Sequence, residues 1–480
     1  MIPFFATCVA LAFTFQAPLH SPTMPTYLKG EVQVQGRTYP YLLLPPLEIV
    51  EGKTYPLVLF LHGIGERGTD NEIQKAHFPA RMAQPELAQR YGAFVLAPQC
   101  PEDDSWANLN SLSSAQFVQD TEPTQAMKGA LASLAKVIRK HPIDLNRMAL
   151  TGLSMGGAGA WDLALRRPDV FTAVAPICGG GDQRTAHRLA GLPVLVWHGT
   201  ADERVPVARS QAMVKALRAL DIPVQYTELP GVGHNSWDQA YGPEGCLEEL
   251  FAARRNPAQI QAATAELLAK VLQADEKIAF LGDSITQAGN NDGGFVDLIR
   301  KSLSKVRPDV QIIPAGISGH KVPDLLKRFE ADVMDKQATL VFIYIGINDV
   351  WHSTSGAGTP PEDFENGLRE LIGRLQDAGI TVVLTTPGII GEKAHGSNGL
   401  DTMLDQFSAI SRRVAREKGA ILCDLSRAFR QHLRLFNPKN QEHSILTRDG
   451  VHLNPDGDRF LAIQAARALR RAVLARNKDT

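Results

Sequence analysis

The stretch Thr151-Gly152-Leu153-Ser154-Met155-Gly156-Gly157 decides how the first half of this chain folds. It reads Gly-x-Ser-x-Gly, with the apolar triplet Met148-Ala149-Leu150 leading in and small residues following. That is the pattern of a buried strand turning sharply into a helix, with a serine at the tip of the turn. Glycine at 152 and 156 permits backbone segments to approach more closely than side chains allow. An ordinary tight turn rich in small residues has the same string, so the surrounding pattern has to carry the reading.

Upstream, Val32 to Val34 and Tyr39 to Leu44 alternate and are β-rich, which predicts an entry hairpin. Pro56-Leu-Val-Leu-Phe-Leu61 is a continuous apolar run, as expected of a strand covered on both faces, and it opens into His62-Gly63-Ile64-Gly65-Glu66-Arg67-Gly68. Phe94 to Ala97 is a second such run, and Glu122 to Lys140 has apolar residues at helical spacing. Downstream, Ala173 to Pro176, Val194 to Trp197 and Val224 to Leu229 read as strands with helical stretches between them. This alternation predicts a parallel, doubly wound α/β sheet.

Such sheets assemble their sites at the C-terminal ends of the strands. A hydrolytic serine there needs a base and an orienting acid, in the chain order Ser, acid, His. Asp202 follows the strand at Val194, and His234 follows the strand at Val224. His234 is therefore the expected acceptor of the Ser154 proton, and Asp202 the group that fixes its tautomer. Asp182 and Asp238 are rival acids, and His187 and His198 rival bases. Two backbone donors are expected for an oxyanion, the amides of Met155 and Ile64. Trp106 and Trp237 fall in predicted loops beside the site, where they either stack on substrate or simply pack.

Leu61-His-Gly-Ile-Gly-Glu-Arg-Gly68, Ala97-Pro-Gln-Cys-Pro101, Gly152 to Gly157, His198-Gly-Thr-Ala-Asp202 and Gly233-His-Asn-Ser-Trp237 together resemble a secreted branch of the α/β-hydrolase superfamily. That branch is similar to phospholipase/carboxylesterases and to feruloyl or polyhydroxybutyrate esterases. The resemblance spans roughly residues 55 to 240 and implies hydrolysis of carboxylic esters rather than peptides.

The second half repeats the theme with other motifs. Lys277 to Leu281, Val310 to Ile313, Leu340 to Ile345, Thr381 to Leu384 and Ala420 to Leu422 are strands separated by helical stretches, a second α/β sheet complete in itself. Polar and glycine positions again follow the strands: Gly282-Asp283-Ser284, Ala315-Gly316 and Gly346-Ile347-Asn348-Asp349; near the C-terminus comes Asp449-Gly450-Val451-His452. Asp and His three apart reach one side of a turn, so His452 can deprotonate Ser284 while Asp449 steadies the other ring nitrogen. The amides of Ser284 and Gly316 and the side chain of Asn348 supply oxyanion donors, and Asp283 is read as a brace for its loop. These blocks resemble the SGNH (GDSL-type) hydrolases, whose name lists Ser, Gly, Asn and His. By motif those are Ser284, Gly316, Asn348 and His452, with Asp449 completing the triad. Ala315 departs from the pattern, since many relatives carry Asn before the glycine. The resemblance implies a flavodoxin-like sheet and removal of acyl groups, often acetyl, from sugars, lipids and other alcohols.

A chain of 480 residues is long enough for two cores. We expect a signal peptide at 1–24, an α/β-hydrolase domain at 25–252, a connecting helix at 253–275 and the SGNH domain at 276–480. The run Phe4 to Phe15 has the length of a secretory leader and is too short to span a bilayer, although no Lys or Arg precedes it. Cleavage is expected between Ala17 and Thr26, and the location secreted or periplasmic, with no integral membrane segment once the leader is removed. A formal net charge of -1 gives no bulk attraction to nucleic acid or acidic membranes. With Cys8 in the leader, Cys100, Cys178, Cys246 and Cys423 remain. Their spacing matches no metal pattern, and either a disulfide within the first domain or buried thiols fits them. No cofactor or metal is called for. Asn256-Pro257 interrupts the helical stretch at the join, and with no Ser/Gly-rich linker there the domains are expected to pack.

The reading that unites these observations is a secreted esterase with two serine centres, acting on an acylated carbohydrate or another ester. Two alternatives stand beside it: a lipid, polyester or general carboxylesterase, and a chain in which one domain only binds. A peptidase is a weaker alternative, since the same triad serves amides.

Overall fold

The computed structural model describes residues 25–108 and 117–479. The expected leader at 1–24, with Cys8, lies outside them. The described residues form two sheets, one of eight strands and one of five.

The eight strands are β1 (Leu28–Val34), β2 (Arg37–Leu44), β3 (Tyr55–Leu61), β4 (Phe94–Pro98), β5 (Ile143–Leu153), β6 (Val174–Ile177), β7 (Leu195–Gly199) and β8 (Gln225–Leu229), in the spatial order β1-β2-β4-β3-β5-β6-β7-β8. From β4 to β8 every pairing is parallel, whereas β1 and β2 form the antiparallel entry hairpin, and β2 also runs antiparallel to β4. The sheet is thus mixed, because a hairpin joined by Gln35 and Gly36, both at positive φ, has to return alongside itself. Every residue of β3 and β4 is buried, as their uninterrupted apolar sequence requires. Helix α1 (Gln125–Lys140) begins at Thr124, whose hydroxyl accepts from the Met127 amide. Helix α2 (Met155–Arg166) follows the serine turn and is almost wholly buried.

At the join, α3 (Pro257–Ala269) begins at the Asn256-Pro257 break, with Asn256 accepting from the Gln259 amide and proline in the first turn. The second sheet contains β9 (Lys277–Gly282), β10 (Gln311–Gly316), β11 (Leu340–Tyr344), β12 (Thr381–Thr385) and β13 (Ile421–Cys423), all parallel, in the order β10-β9-β11-β12-β13. Read as 2-1-3-4-5, that is the flavodoxin-like order, with its switch point between β9 and β11. The helices of this half include α4 (Ser284–Gly289), α5 (Ile347–Trp351), α6 (Leu425–Phe436) and α7 (Pro455–Asp479).

The halves pack against each other. Leu267 of α3 and Leu435 and Phe436 of α6 join the apolar core on one face of the first sheet. Arg255 lies 4.3 Å from the Phe436 ring centroid, and Arg427 pairs with Glu122 at 2.9 Å. Among the described residues no helix is long and apolar enough to cross a membrane.

Candidate active sites

Ser154 is the hinge between β5 and α2. Its backbone sits at φ 56° and ψ −118°, a strained conformation for a residue with a side chain, and its own amide is tied to the Ile177 carbonyl at 3.0 Å. The turn is possible because its glycines lie flush against neighbouring backbone. A Cβ at Gly156 would stand 1.8 Å from the Leu61 carbonyl oxygen, and one at Gly152 2.2 Å from that of Gly156. The start of α2 therefore abuts the end of β3, where the loop 62–66 departs.

This geometry brings the distant polar residues together. Ser154 Oγ lies 2.9 Å from His234 Nε2, and His234 Nδ1 lies 2.7 Å from Asp202 Oδ2. The other oxygen of Asp202 accepts from the amides of Arg204 and Val205. Burial opposes ionisation of Asp202, but the His234 bond and those two amides outweigh it and hold the carboxyl below its ordinary value. Met155 opens α2, and Ile64 opens the short 3-10 turn Ile64–Glu66, so both amides sit at helix starts without an intrahelical acceptor. The two loops are neighbours: a Cβ at Gly63 would lie 3.8 Å from the Ser154 Cβ.

The rivals lie elsewhere or do other things. Asp182 pairs with Arg184, and Asp238 accepts from Asn235. His187 lines a cleft between the domains, away from the serine turn. His198 is fully buried behind the acid, its Nε2 2.8 Å from the Val205 carbonyl and 3.3 Å from Asp202 Oδ2. Of the two tryptophans, Trp237 is half-buried with its ring 5.3 Å from that of His234. Trp106 needs a correction, because it is 0% exposed and donates its indole N–H to the His62 carbonyl at 3.0 Å. It packs beneath the 62–66 loop and offers no face to a substrate. A loop position in sequence does not mean a surface position, and a buried indole needs a partner for its N–H.

The second site is built the same way on the smaller sheet. Ser284 opens α4, with Asp283 accepting from the Ile285 amide as its cap. Ser284 Oγ is 3.1 Å from His452 Nε2, and His452 Nδ1 is 2.8 Å from Asp449 Oδ2. Asp449 also accepts from the amides of Val451 and His452, and these bonds hold its carboxyl low despite the cost of burial. Gly316 is required by packing, since a Cβ there would lie 2.2 Å from the Gln287 nitrogen. Asn348 is buried and donates one amide hydrogen to the His320 carbonyl at 3.0 Å, which leaves its second for another acceptor.

Two residues that the sequence did not single out, and Asp349 from a block that it did, belong to this second site. Trp351, at the end of α5, stands 6.2 Å from the His452 ring and is 38% exposed. Arg328 donates to the Gly282 and Ala315 carbonyls and to His320, so it ties together the strand ends that carry Ser284 and Gly316. Asp349 is buried beside Asp283. The only signal for Trp351 was its place three residues after Asn348 on a short helix, and for Arg328 there was none.

All four described cysteines are free and buried. Cys178, Asp202 and His234 have ligand atoms within 4.8 Å of one another. The last two are already bonded to each other, and His234 to Ser154 as well, and burial pushes the Cys178 thiol up to about 12, which keeps it protonated and a poor metal ligand.

Each site can activate a serine hydroxyl through an imidazole held by a carboxylate. Residues 47–242 match the family described as Phospholipase/Carboxylesterase, and residues 280–460 match the GDSL-like Lipase/Acylhydrolase family. The chain is 29% identical over 205 residues to an acetylxylan esterase of Geobacillus stearothermophilus, a match covering 39% of this chain and 90% of that one. A crystal structure of an acetyl xylan esterase is 41% identical with a TM-score of 0.40, covering 40% of this chain and 98% of the other. A thermostable esterase structure is 35% identical with a TM-score of 0.44, covering 48% of this chain and 63% of the other, so the chain spans just under two thirds of its length.

Proposed function

We propose that this chain, an α/β-hydrolase of the phospholipase/carboxylesterase family joined to a GDSL-like acylhydrolase, is an exported carboxylic-ester hydrolase with two working serine centres. Its substrate is an acylated polysaccharide. The observation that carries this reading is the pair of relays, with Ser–His distances of 2.9 and 3.1 Å, each closed by a carboxylate.

In the first centre His234 takes the Ser154 proton as Oγ attacks the ester carbonyl, and Asp202 steadies the resulting imidazolium. The amides of Met155 and Ile64 receive the oxyanion. Collapse expels the alcohol, which takes the proton from His234, and water then repeats the cycle on the acyl-serine. In the second centre Ser284, His452 and Asp449 perform the same steps, with Gly316, Asn348 and the Ser284 amide as donors. The relatives named as acetylxylan esterases favour acetyl as one acyl group and a polysaccharide as the alcohol. A larger acyl group such as feruloyl suits the first centre, where the ring of Trp237 stands 5.3 Å from that of His234. Tethering keeps one centre near the products of the other. The apolar run Phe4 to Phe15 supports export.

Ser154→Ala and Ser284→Ala variants, assayed on 4-nitrophenyl acetate and on acetylated xylan, test this. Each single variant should keep part of the activity and the double variant none. Loss of all activity in one single variant would refute two working centres.

A further inference from the structure

Between the two domains runs a cleft of about 1160 Å³, walled by residues of both halves. It is crowded with arginine although the chain as a whole has a formal net charge of only -1. Several of these arginines are matched by carboxylates, as Arg427 is by Glu122 at 2.9 Å. Four are not. Among the described residues Arg467 and Arg471 donate only to main-chain carbonyls, those of Arg188 and Leu422, while the guanidinium groups of Arg188 and Arg434 have no hydrogen-bond or ion-pair partner. The Arg467 Nε is buried and bonds to nothing.

Like charges gathered in a partly dry cleft repel one another, and a bound anion relieves that cost. The neighbouring groups register the field. Burial, with Arg188 beside it and against the opposing pull of Asp169, brings the Arg467 guanidinium down to about 10. Burial together with Arg470, Arg188 and Arg467 pushes the His187 imidazole down to about 3, so it stays neutral. The charges are spread along the walls. Arg467 and Arg471 lie four residues apart on α7, Arg434 is on α6, and Arg188 is on the 3-10 segment Gln183–Leu189 of the first domain. The planar guanidinium fork matches a planar carboxylate through two parallel hydrogen bonds. A volume of this size with charges distributed along it suits a chain bearing repeated carboxylates better than a single small anion. The cleft also reaches Asp182 and Asp424, which follow the C-terminal ends of β6 and β13, the sheet ends that carry the serines.

We propose that this cleft is a non-catalytic binding site for uronate-bearing oligosaccharide, held by Arg188, Arg434, Arg467 and Arg471. The proposal deepens the polysaccharide reading above and rests on it for the nature of the ligand. It assigns the substrate an acidic backbone or acidic branches, and makes the domain junction a grip on the polymer while the two centres remove its acyl groups.

Calorimetric titration of the full chain tests this. The probes are an oligogalacturonate, a neutral xylo-oligosaccharide of equal length and inorganic phosphate, each added to the Ser154→Ala/Ser284→Ala double variant so that turnover plays no part. The acidic chain should bind at least about tenfold more tightly than the neutral one and weaken with added salt. Adding Arg188→Gln and Arg434→Gln should weaken it by at least about tenfold, while the same two changes in the active protein leave 4-nitrophenyl acetate hydrolysis intact. Equal binding of acidic and neutral chains, unchanged binding in the arginine variant, or binding of phosphate alone would each overturn the proposal. Anion binding without deacylation of any polysaccharide by the active protein would instead sink the catalytic reading and leave the cleft assignment standing.

Discussion

Trp351 presents its indole to the imidazole of His452 at an interplanar angle of 63°, with ring centroids 6.2 Å apart, while keeping more than a third of its surface open to solvent. A half-exposed aromatic beside a serine relay is a platform on which a sugar ring can stack, and such a contact is worth about 1 kcal/mol. Trp351→Ala, measured in the Ser154→Ala background, should therefore raise KM for acetylated xylo-oligosaccharides by roughly 5- to 10-fold. The rate on 4-nitrophenyl acetate, which brings no sugar, should change little. An equal loss on both substrates would show that Trp351 orients His452 instead.

Asp202 and Asp449 are held ionised by their histidines and main-chain amides, so their charge is in place across the neutral range. Replacing either with Asn keeps the shape but removes the acceptor that fixes the imidazole tautomer. Asp202→Asn in the Ser284→Ala background, and Asp449→Asn in the Ser154→Ala background, should each lower kcat by roughly 10³- to 10⁴-fold with KM nearly unchanged. The first change has a particular hazard, since His198 also lies against Asp202. A far smaller loss there would mean that His198 shares in orienting the site.

Asp283 and Asp349 give the second domain a pH dependence of unusual sign. Burial, aided by the nearby Asp349, pushes the Asp283 carboxyl up to about 7, and burial takes Asp349 to about 6. A carboxyl whose folded value lies above its unfolded value stabilises the fold fully below the unfolded value, near 4, and that contribution is lost as pH rises through the folded one. Each unit of displacement is worth about 1.4 kcal/mol. Asp283→Asn retains the cap on the Ile285 amide and cannot ionise. Its thermal stability should gain on that of the natural chain as pH goes from 5 to 8, by an amount on the order of 2 to 4 kcal/mol. Parallel stability curves would show that Asp283 stays ionised in the fold.

Gly156 is fixed by the backbone of β3 and not by chemistry. A methyl group there collides with the Leu61 carbonyl, whereas one at Gly65 meets nothing within 4 Å. Gly156→Ala should cost more than about 3 kcal/mol or prevent the first domain from folding, while Gly65→Ala leaves the melting temperature within a degree or two. Circular dichroism melts of the two variants check this, and a stable, fully active Gly156→Ala protein would contradict the tight turn.

Much of this molecule was legible before any coordinates. The central strands of both sheets announced themselves as short apolar runs, since a strand buried on both faces has no reason to alternate, and the entry hairpin by its alternation. The serine turns were marked by glycines that no other residue can replace at so close an approach, the acid and base of the first site by their places just after strands, and those of the second by standing three residues apart. Those are local signals, carried within ten residues or so. The fate of Trp106 was not local, because whether a loop side chain faces solvent depends on what lies above it. Nor were Trp351 beside His452, Arg328 across two strand ends, or the Asp283–Asp349 pair, each joining segments tens or about a hundred residues apart. The arginine-lined cleft is the extreme case, since Arg188 and Arg467 are separated by 279 residues. The order of residues fixes which strands and turns form, because backbone geometry and burial are decided by near neighbours. Which charges are left unmatched is decided only when the two domains meet, because a Coulomb interaction depends on distance in space and not along the chain.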